Sequence, residues 1–402
     1  MDLNAAQRPG MPSLEEVRAC IATQIEPAEA VREPLAHAMG RILREEVIAR
    51  EEVPAFDRSA MDGFAMGEGE GEFRIVGEAR PGKRAEFSVG KGECARIFTG
   101  AQIPDGASRI LKQEDAEVAG ERVRAKVGPS AEFIRRRGED AHAGQLLLAG
   151  GTRLGPAEIA LLASLGIVEP MISRECKVAH FGTGDELVDP SEKPEGSQIR
   201  DSNSALVRAF AEEHRGAMAV QGRVKDDLGS LTEAVRNATD GGCDLVLISG
   251  GASVGAYDFG RAALEACGYR THFGRMNLRP GKPLIFATRE RQAAFVLPGN
   301  PLSHLAVLNC VVRVAFERFA GVEPRLAMVS ARQKEGIDVG GDGRDTLWPA
   351  RLEFEDGEAV VAPLRWQNSG DITGIVGLNA FIRCRAAVLD TGAPVACILL
   401  HG

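Results

Sequence analysis

Long hydrophobic runs, basic blocks and metal-type cysteine pairs are all missing from this sequence, and each absence removes a class of function. No apolar stretch approaches the roughly 18–20 residues of a membrane helix. The opening MDLNAAQRPGMPSLEE has neither the basic start nor the apolar segment of a targeting peptide. The expected location is the cytoplasm, with no membrane partner. Acidic side chains outnumber basic ones by 57 to 48, a net charge of −9, and the longest basic run is the triplet Arg135–Arg137. A nucleic acid is therefore not an expected partner. The eight cysteines (Cys20, Cys94, Cys176, Cys243, Cys267, Cys310, Cys384 and Cys397) form no CxxC, and no histidine sits in an HExxH. They read as core thiols, and any metal should be held by oxygen.

What is present is an ordinary soluble mixture, 44% apolar and 26% charged over 402 residues, long enough for about two to four domains. Residues 13–25 carry Leu14, Val17, Ile21 and Ile25 at helical spacing behind the capping residue Ser13, and Pro27 marks the end. From about Glu46 to Asp140 short β-type runs are broken by Gly and Pro, with a hairpin expected in VAGERVRAKV. Between 176 and 319 the pattern changes. CKVAHFG, AMAVQGRV and DLVLIS alternate with the amphipathic SALVRAFAEEHR, LGSLTEAVRNAT and GRAALEAC, which predicts βαβ units and a parallel sheet covered on both faces. PLIFAT and AAFVLP add two strands, and HLAVLNCVVRVAFERF a long buried helix. After Pro324 the reading returns to β, with a hairpin around EDG in RLEFEDGEAVVAPL.

Ligands of an open α/β sheet bind beyond the carboxyl ends of its strands, so the chemistry is sought in the segments that follow them. These are GTGDE (Gly182, Thr183, Gly184, Asp185, Glu186), KDD (Lys225–Asp227), SGGASVGAYD (Ser249–Asp258), RMNLRPGKP (Arg275–Pro283) and LPGNPLS (Leu297–Ser303). Gly-rich turns feeding a helix expose backbone N–H groups to an anion, although for one such loop a plain tight turn explains the glycines equally well. Two on one rim favour a phosphorylated ligand. There is no GxxxxGK[ST] and no proper GxGxxG. Asp185, Glu186, Asp226, Asp227 and Asp258 should converge beside that cradle, a donor set suited to Mg²⁺. Helix capping explains Asp226 or Asp227 at least as well. Arg275, Arg279 and Lys282 lie within eight residues on a turn stiffened by two prolines, a second anion site or an exposed, salt-bridged turn.

Seven motifs then stand in a telling order: FDRSAMDGFAM (56–66), RIFTGAQIP (96–104), RRRGED (135–140), FGTGDEL (181–187), SGGASVGAYD (249–258), LRPGKP (278–283) and LPGNP (297–301). In that order the chain resembles the molybdopterin molybdenumtransferase family, the MoeA type to which the C-terminal domain of gephyrin is related, over about residues 13–380. The resemblance implies a multidomain α/β plus β fold. Residues 1–26 with 171–325 would form an α/β/α molybdopterin-binding domain, 27–46 with 141–170 an elongated linking domain, 47–140 a β-rich domain, and 326–402 a C-terminal β domain. It also implies a homodimer in which the β-rich domain of one subunit completes the active site of the other.

The reaction implied is insertion of molybdate into adenylylated molybdopterin with release of AMP, assisted by Mg²⁺. Carried over position by position, Asp62, Thr99, Asp140, Glu186, Asp226 and Asp258 match the family's functional polar positions, with Glu186, Asp226 and Asp258 as metal ligands. Gly182, Thr183, Gly184 and Asp185 would meet pterin and phosphate, as would Ser249, Gly250, Gly251, Ser253 and Gly255, and Pro298, Gly299 and Asn300. Arg275, Arg279 and Lys282 would take molybdate, joined by Arg344 and Ser369. A molybdopterin adenylyltransferase and the receiving molybdoenzymes are further candidate partners.

Departures from the family pattern are Arg58, Arg275, Arg279 in RPGKP, Ala256 and Pro349. Arg58, Ala256 and Pro349 motivate a second reading, a non-catalytic molybdopterin-binding or scaffolding paralogue. Adenylylation of molybdopterin is a third, against which the additional β domains argue.

Overall fold

The computed structural model describes residues 11–250, 256–340, 343–385 and 388–400. The chain forms two compact units: one of residues up to Arg44, Arg153–Ile159 and Val168 onward, the other of Glu45–Thr152 with Ala160–Ile167. Segment 27–46 therefore divides between the units at Arg44/Glu45, and segment 141–170 at Thr152/Arg153, Ile159/Ala160 and Ile167/Val168. Among the described residues no helix is long and apolar enough to cross a membrane.

The larger unit begins with α1 (Leu14–Gln24), closed by a reciprocal cap in which Ser13 Oγ accepts from Glu16 N–H and Glu16 accepts from Ser13 N–H. Its apolar stripe, Leu14, Val17, Cys20 and Ile21, is fully buried. The sheet follows: β1 (Cys176–Thr183), α2 (Ser202–Glu213), β2 (Gly216–Val224), α3 (Leu228–Asp240), β3 (Leu245–Ser249), α4 (Ala256–Ala266), β4 (Arg270–Arg275), β5 (Pro283–Arg289) and β6 (Gln292–Leu297). Strand order is β2-β1-β3-β6-β5-β4. The first four strands are parallel, while β5 and β4 run antiparallel to their neighbours. The sheet is thus mixed, because the tight turn Glu290–Arg291 returns β5 straight into β6 where a parallel step would need a helix.

Alternation along β1 and β3 fills both faces. Val178, Leu245 and Leu247 pack with α1, α2 and the helix that runs from Pro301 to Ala320, whereas Ala179, Phe181, Val246 and Ile248 pack with α3 and α4. That last helix is continuous but widens over Leu308–Val312 into a π-turn.

In the same unit, Met328–Gln333, Asp345–Glu355, Glu358–Pro363, Ala380–Cys384 and Pro394–Leu399 close into a small barrel. The hairpin between Asp345–Glu355 and Glu358–Pro363 turns at Asp356–Gly357, both with positive φ. Leu278 and Arg279 pair with Asp345 and Thr346, which stitches the LRPGKP turn to this barrel. Leu347, Phe381 and Ile398 join the core under the sheet.

The smaller unit contains a six-stranded sheet, including the expected hairpin of Ala116–Ala119 and Arg122–Ala125, over cores centred on Phe64, Met66 and Leu111 and on Ile97 and Ile110. All eight cysteines are buried and free.

Candidate functional site

The carboxyl ends of the parallel strands open into a cleft of about 510 Å³. Gly182 and Thr183 line it from β1, Gly184 and Glu186 from the turn beyond, Asp226 from the turn after β2, Ser249 from β3 and Gly250 just past it; Gly299 and Asn300 close it from the loop after β6. Gly250 has φ +136°, and a Cβ there would stand 2.2 Å from the Thr183 carbonyl oxygen, so the two strand ends approach this closely only without a side chain.

The neighbouring carboxylates separate by role. Asp227 is the N-cap of α3, accepting from Ser230 N–H and Ser230 Oγ–H at 2.8 Å each, and these bonds hold its carboxyl below the usual range. Among the described residues Asp226 has no such donors. Desolvation, then the like charges of Asp185, Glu186 and Asp227, push its carboxyl upward. A divalent cation is the partner that relieves this repulsion, so the donor set fits a hard metal ion. Among the described residues no three His, Cys, Asp or Glu side chains form a ligand set on their own, and Mg²⁺ ordinarily takes one or two carboxylates, water and phosphate oxygens.

Behind the cleft lies a buried polar chain that spacing did not reveal. His180 Nε2 meets Ser249 Oγ at 2.7 Å, and Ser249 Oγ meets His304 Nε2 at 3.4 Å. The partners fix the tautomers. Gln221 Nε2 donates to His180 Nδ1 (3.1 Å), so His180 carries its proton on Nε2 and donates to Ser249. His304 Nδ1 donates to the Pro298 carbonyl (2.9 Å), so its Nε2 accepts the serine hydroxyl. Both rings are completely buried. Burial, reinforced by His304 and Arg208, lowers His180 to about 3; burial lowers His304 to about 4. Both are neutral at pH 7. The Ser249 hydroxyl is thereby committed to the interior.

A second cleft, about 570 Å³, lies between the LRPGKP turn, the loop after β6 and the barrel. Arg279, Lys282 and Arg344 line it together with Pro298, Asn300, Ser303, Trp348, Trp366 and Ser369; Asp338 is the carboxylate among its walls. Asp345 is occupied elsewhere, by Arg383 Nε at 2.8 Å. Asn300 belongs to both clefts, and its Nδ2 donates to Ser369 Oγ at 2.8 Å. Leu302 N–H to Ser369 C=O (3.1 Å) fastens the same loop. Arg275 is exposed on β4 and lines neither cleft, and Asp185 acts on the first only through its charge. Gly251, Ser253 and Gly255 lie outside the described residues, as does the side chain of Asp258, whose backbone is on α4.

In the smaller unit Asp62 and Thr99 are joined: Asp62 Oδ1 accepts from Thr99 N–H and Oγ–H, both at 2.7 Å, which lowers the carboxyl. Asp140 is paired with Arg135, and Asp57 with Arg136 at 2.7 Å.

Sequence reasoning missed several lining residues. Asp201 caps α2 and Asn203 donates to the Gly299 carbonyl at 2.7 Å; the DSN run ahead of SALVRAF was a readable cap. Trp348 and Trp366 were signalled only by being the sole tryptophans.

A sheet with a carboxylate-lined cleft at its parallel ends, joined through one asparagine to a cleft lined by Arg279, Lys282 and Arg344 against a β-barrel, makes this a multidomain α/β plus β protein. Family models match along the chain: the MoeA N-terminal region (domain I and II) over residues 12–166, a probable molybdopterin binding domain over 179–318, and the MoeA C-terminal region (domain IV) over 339–400. The molybdopterin molybdenumtransferase of Haemophilus influenzae is 32% identical over 393 residues, covering 92% of this chain and 94% of that protein. That of Nostoc sp. (strain PCC 7120) is 33% identical over 334 residues, 80% of this chain and 76% of its own. Two structures of the molybdopterin biosynthesis MoeA protein from Pyrococcus horikoshii are 27% and 26% identical, cover 98% and 97% of this chain and all of theirs, and superpose with TM-scores of 0.81 and 0.79. The chain belongs to the molybdopterin molybdenumtransferase family, transferases of molybdenum cofactor biosynthesis.

Proposed function

We propose that this chain inserts molybdate into adenylylated molybdopterin and releases AMP, in the cytoplasm and as a homodimer. The observation that carries the reading is the pair of clefts of opposite character sharing Asn300. A substrate with a pterin and a pyrophosphate suits the strand-end cleft, where main-chain N–H groups and glycine turns receive phosphate oxygens. A tetrahedral dianion suits the neighbouring cleft, lined by Arg279, Lys282 and Arg344. Water cleaves the pyrophosphate to give AMP, and the dithiolene sulfurs take over molybdenum with loss of one oxo group as water.

Mg²⁺ would be held by Glu186 and Asp226, with Asp258 as a further ligand, and would supply neutralisation of the phosphate charge. The chain's own contribution is positional. Asn300 and Ser369 keep the loop between the clefts in register, and the neutral histidine chain sets the height of Pro298 and Ser249. Asp62, Thr99 and Asp140 are assigned to the site of the partner subunit. An adenylyltransferase and molybdoenzymes are the proposed upstream and downstream partners.

The test is AMP release from adenylylated molybdopterin by the purified chain. Release that requires both molybdate and Mg²⁺ is expected. Tight binding without AMP release would favour the scaffolding paralogue, and net ATP consumption the adenylyltransferase. For the dimer, a mixture of Glu186→Ala and Asp62→Ala subunits should regain activity that neither variant has alone.

A further inference from the structure

We propose that Trp366 is a positioning residue of the cationic cleft: its indole face fixes the Arg279 guanidinium without neutralising it, leaving that charge and its free N–H edge to a tetrahedral dianion. This rests on reading the cleft as the oxyanion site.

Arg279 is held in an unusual way for an arginine that is only half-exposed. Its Nη1 donates to the Val339 carbonyl at 2.9 Å, and its Cζ lies 5.9 Å from the Trp366 ring centre. Among the described residues no carboxylate pairs with it, and its Nε and Nη2 donors have no partner. A carboxylate partner would fix the geometry but consume the charge. An aromatic face fixes the plane and keeps the charge, because the attraction comes from the ring quadrupole. A lysine ammonium is also drawn to an aromatic face, but it has no plane to be oriented and no N–H edge to aim, which gives the Arg of RPGKP a reason in this chain.

Trp366 is itself firmly placed. It packs edge-to-face on Trp348 at 5.6 Å and 82°, and Trp348 Nε1 donates to the Leu364 carbonyl at 3.1 Å. Its loop is folded around Asp371, which accepts from the backbone N–H of Gln367 (3.2 Å), Thr373 (3.0 Å) and Gly374 (3.0 Å). The other side of the loop is tied through Ser369 to Asn300. Yet the indole N–H of Trp366 is buried with no hydrogen-bond partner among the described residues. Packing alone would be served better by phenylalanine or leucine, which leave no orphaned donor. The ring is accordingly retained for its face, and the face meets Arg279.

The experiment is a double-mutant cycle on the full chain, with calorimetric binding of molybdate, tungstate and sulfate. Trp366→Ala should weaken molybdate binding about 3- to 10-fold, the range a partly desolvated cation–π contact supplies. In an Arg279→Ala background the same change should alter binding less than about twofold, since coupled residues are non-additive. In AMP release Trp366→Ala should raise the molybdate KM with kcat within about twofold. Trp366→Phe keeps a ring against Trp348 and should restore most of the affinity; the cycle run with Trp366→Leu, which fills the space without an aromatic face, carries the test if the alanine variant does not fold. An equal loss in both backgrounds would overturn the inference, as would no loss. If Arg279→Ala and Lys282→Ala leave molybdate binding unaltered, it is the oxyanion reading of the cleft that fails instead.

Discussion

The strand-end cleft takes most of its shape from main chain, with glycine turns and strand termini supplying the walls, whereas the cationic cleft is assembled from side chains that four separated segments deliver. Their electrostatics differ in the same sense. In the first, like charges crowd Asp226 and raise its carboxyl. In the second, Arg279 is steadied by a ring and a carbonyl. On the proposed function the first takes a cation and a phosphate and the second an anion.

The division is broken most directly by kinetics. Glu186→Ala should lower AMP release by about 100-fold or more while the molybdate KM stays within about threefold, since the lost group acts on the phosphate side. Arg279→Ala should do the reverse, raising the molybdate KM about tenfold with a smaller effect on kcat. Steady-state assays of both variants check this; variants that shift the two constants alike would merge the clefts into one functional site.

A second test sharpens the comparison through pH. The folded state refuses a proton at His180 and His304 until about 3 and about 4, while the unfolded chain accepts one near the ordinary histidine value. Stability should therefore be fully present above about pH 6.5 and fall as pH drops toward 4, each histidine contributing a slope of up to about 1.4 kcal/mol per pH unit. His180→Val should flatten that slope by about one proton, measured by urea unfolding from pH 7 to 4.5. An unchanged slope would mean that the ring is not held neutral, and with it the registry of Ser249 and Pro298 would lose its explanation.

The smallest effect belongs to Asp226. Its raised carboxyl means that repulsion weakens the folded state once pH exceeds the ordinary carboxylate range, and that the penalty disappears as pH falls through both values. Asp226→Asn should stabilise the metal-free protein at pH 7 by at most about 0.5 kcal/mol, discounted for exposure and screening. The gain should vanish near pH 3.5 and the stabilisation by Mg²⁺ should shrink. Thermal melts with and without Mg²⁺ give the answer. A variant less stable than the parent at pH 7 would show that Asp226 is a structural acid.

The strand-end cleft was readable because each of its turns directly follows an apolar run, so finding the strands finds the turns. Even there spacing left Asp226 and Asp227 interchangeable. Only the bonds to Ser230 show that Asp227 is the cap and that Asp226 is left to the cleft. The cationic cleft was half legible: LRPGKP announced itself, but Arg275, grouped with it by proximity along the chain, is carried away on β4. The mixed sheet escaped the periodicity for a related reason, since an antiparallel strand buried on both faces carries the same apolar run as a parallel one.

The order of apolar runs, caps and glycine turns in the sequence by itself determined the α/β core, the flanking β segments and the family, because local periodicity and short motifs are properties of neighbours along the chain. Which carboxylate caps a helix, which cation meets a ring face, and that His180, Ser249 and His304 form one neutral chain were decided only in three dimensions. Hydrogen bonds, ring faces and charge repulsion act over a few ångströms of space, and the residues that share them here stand as many as 124 positions apart in the sequence.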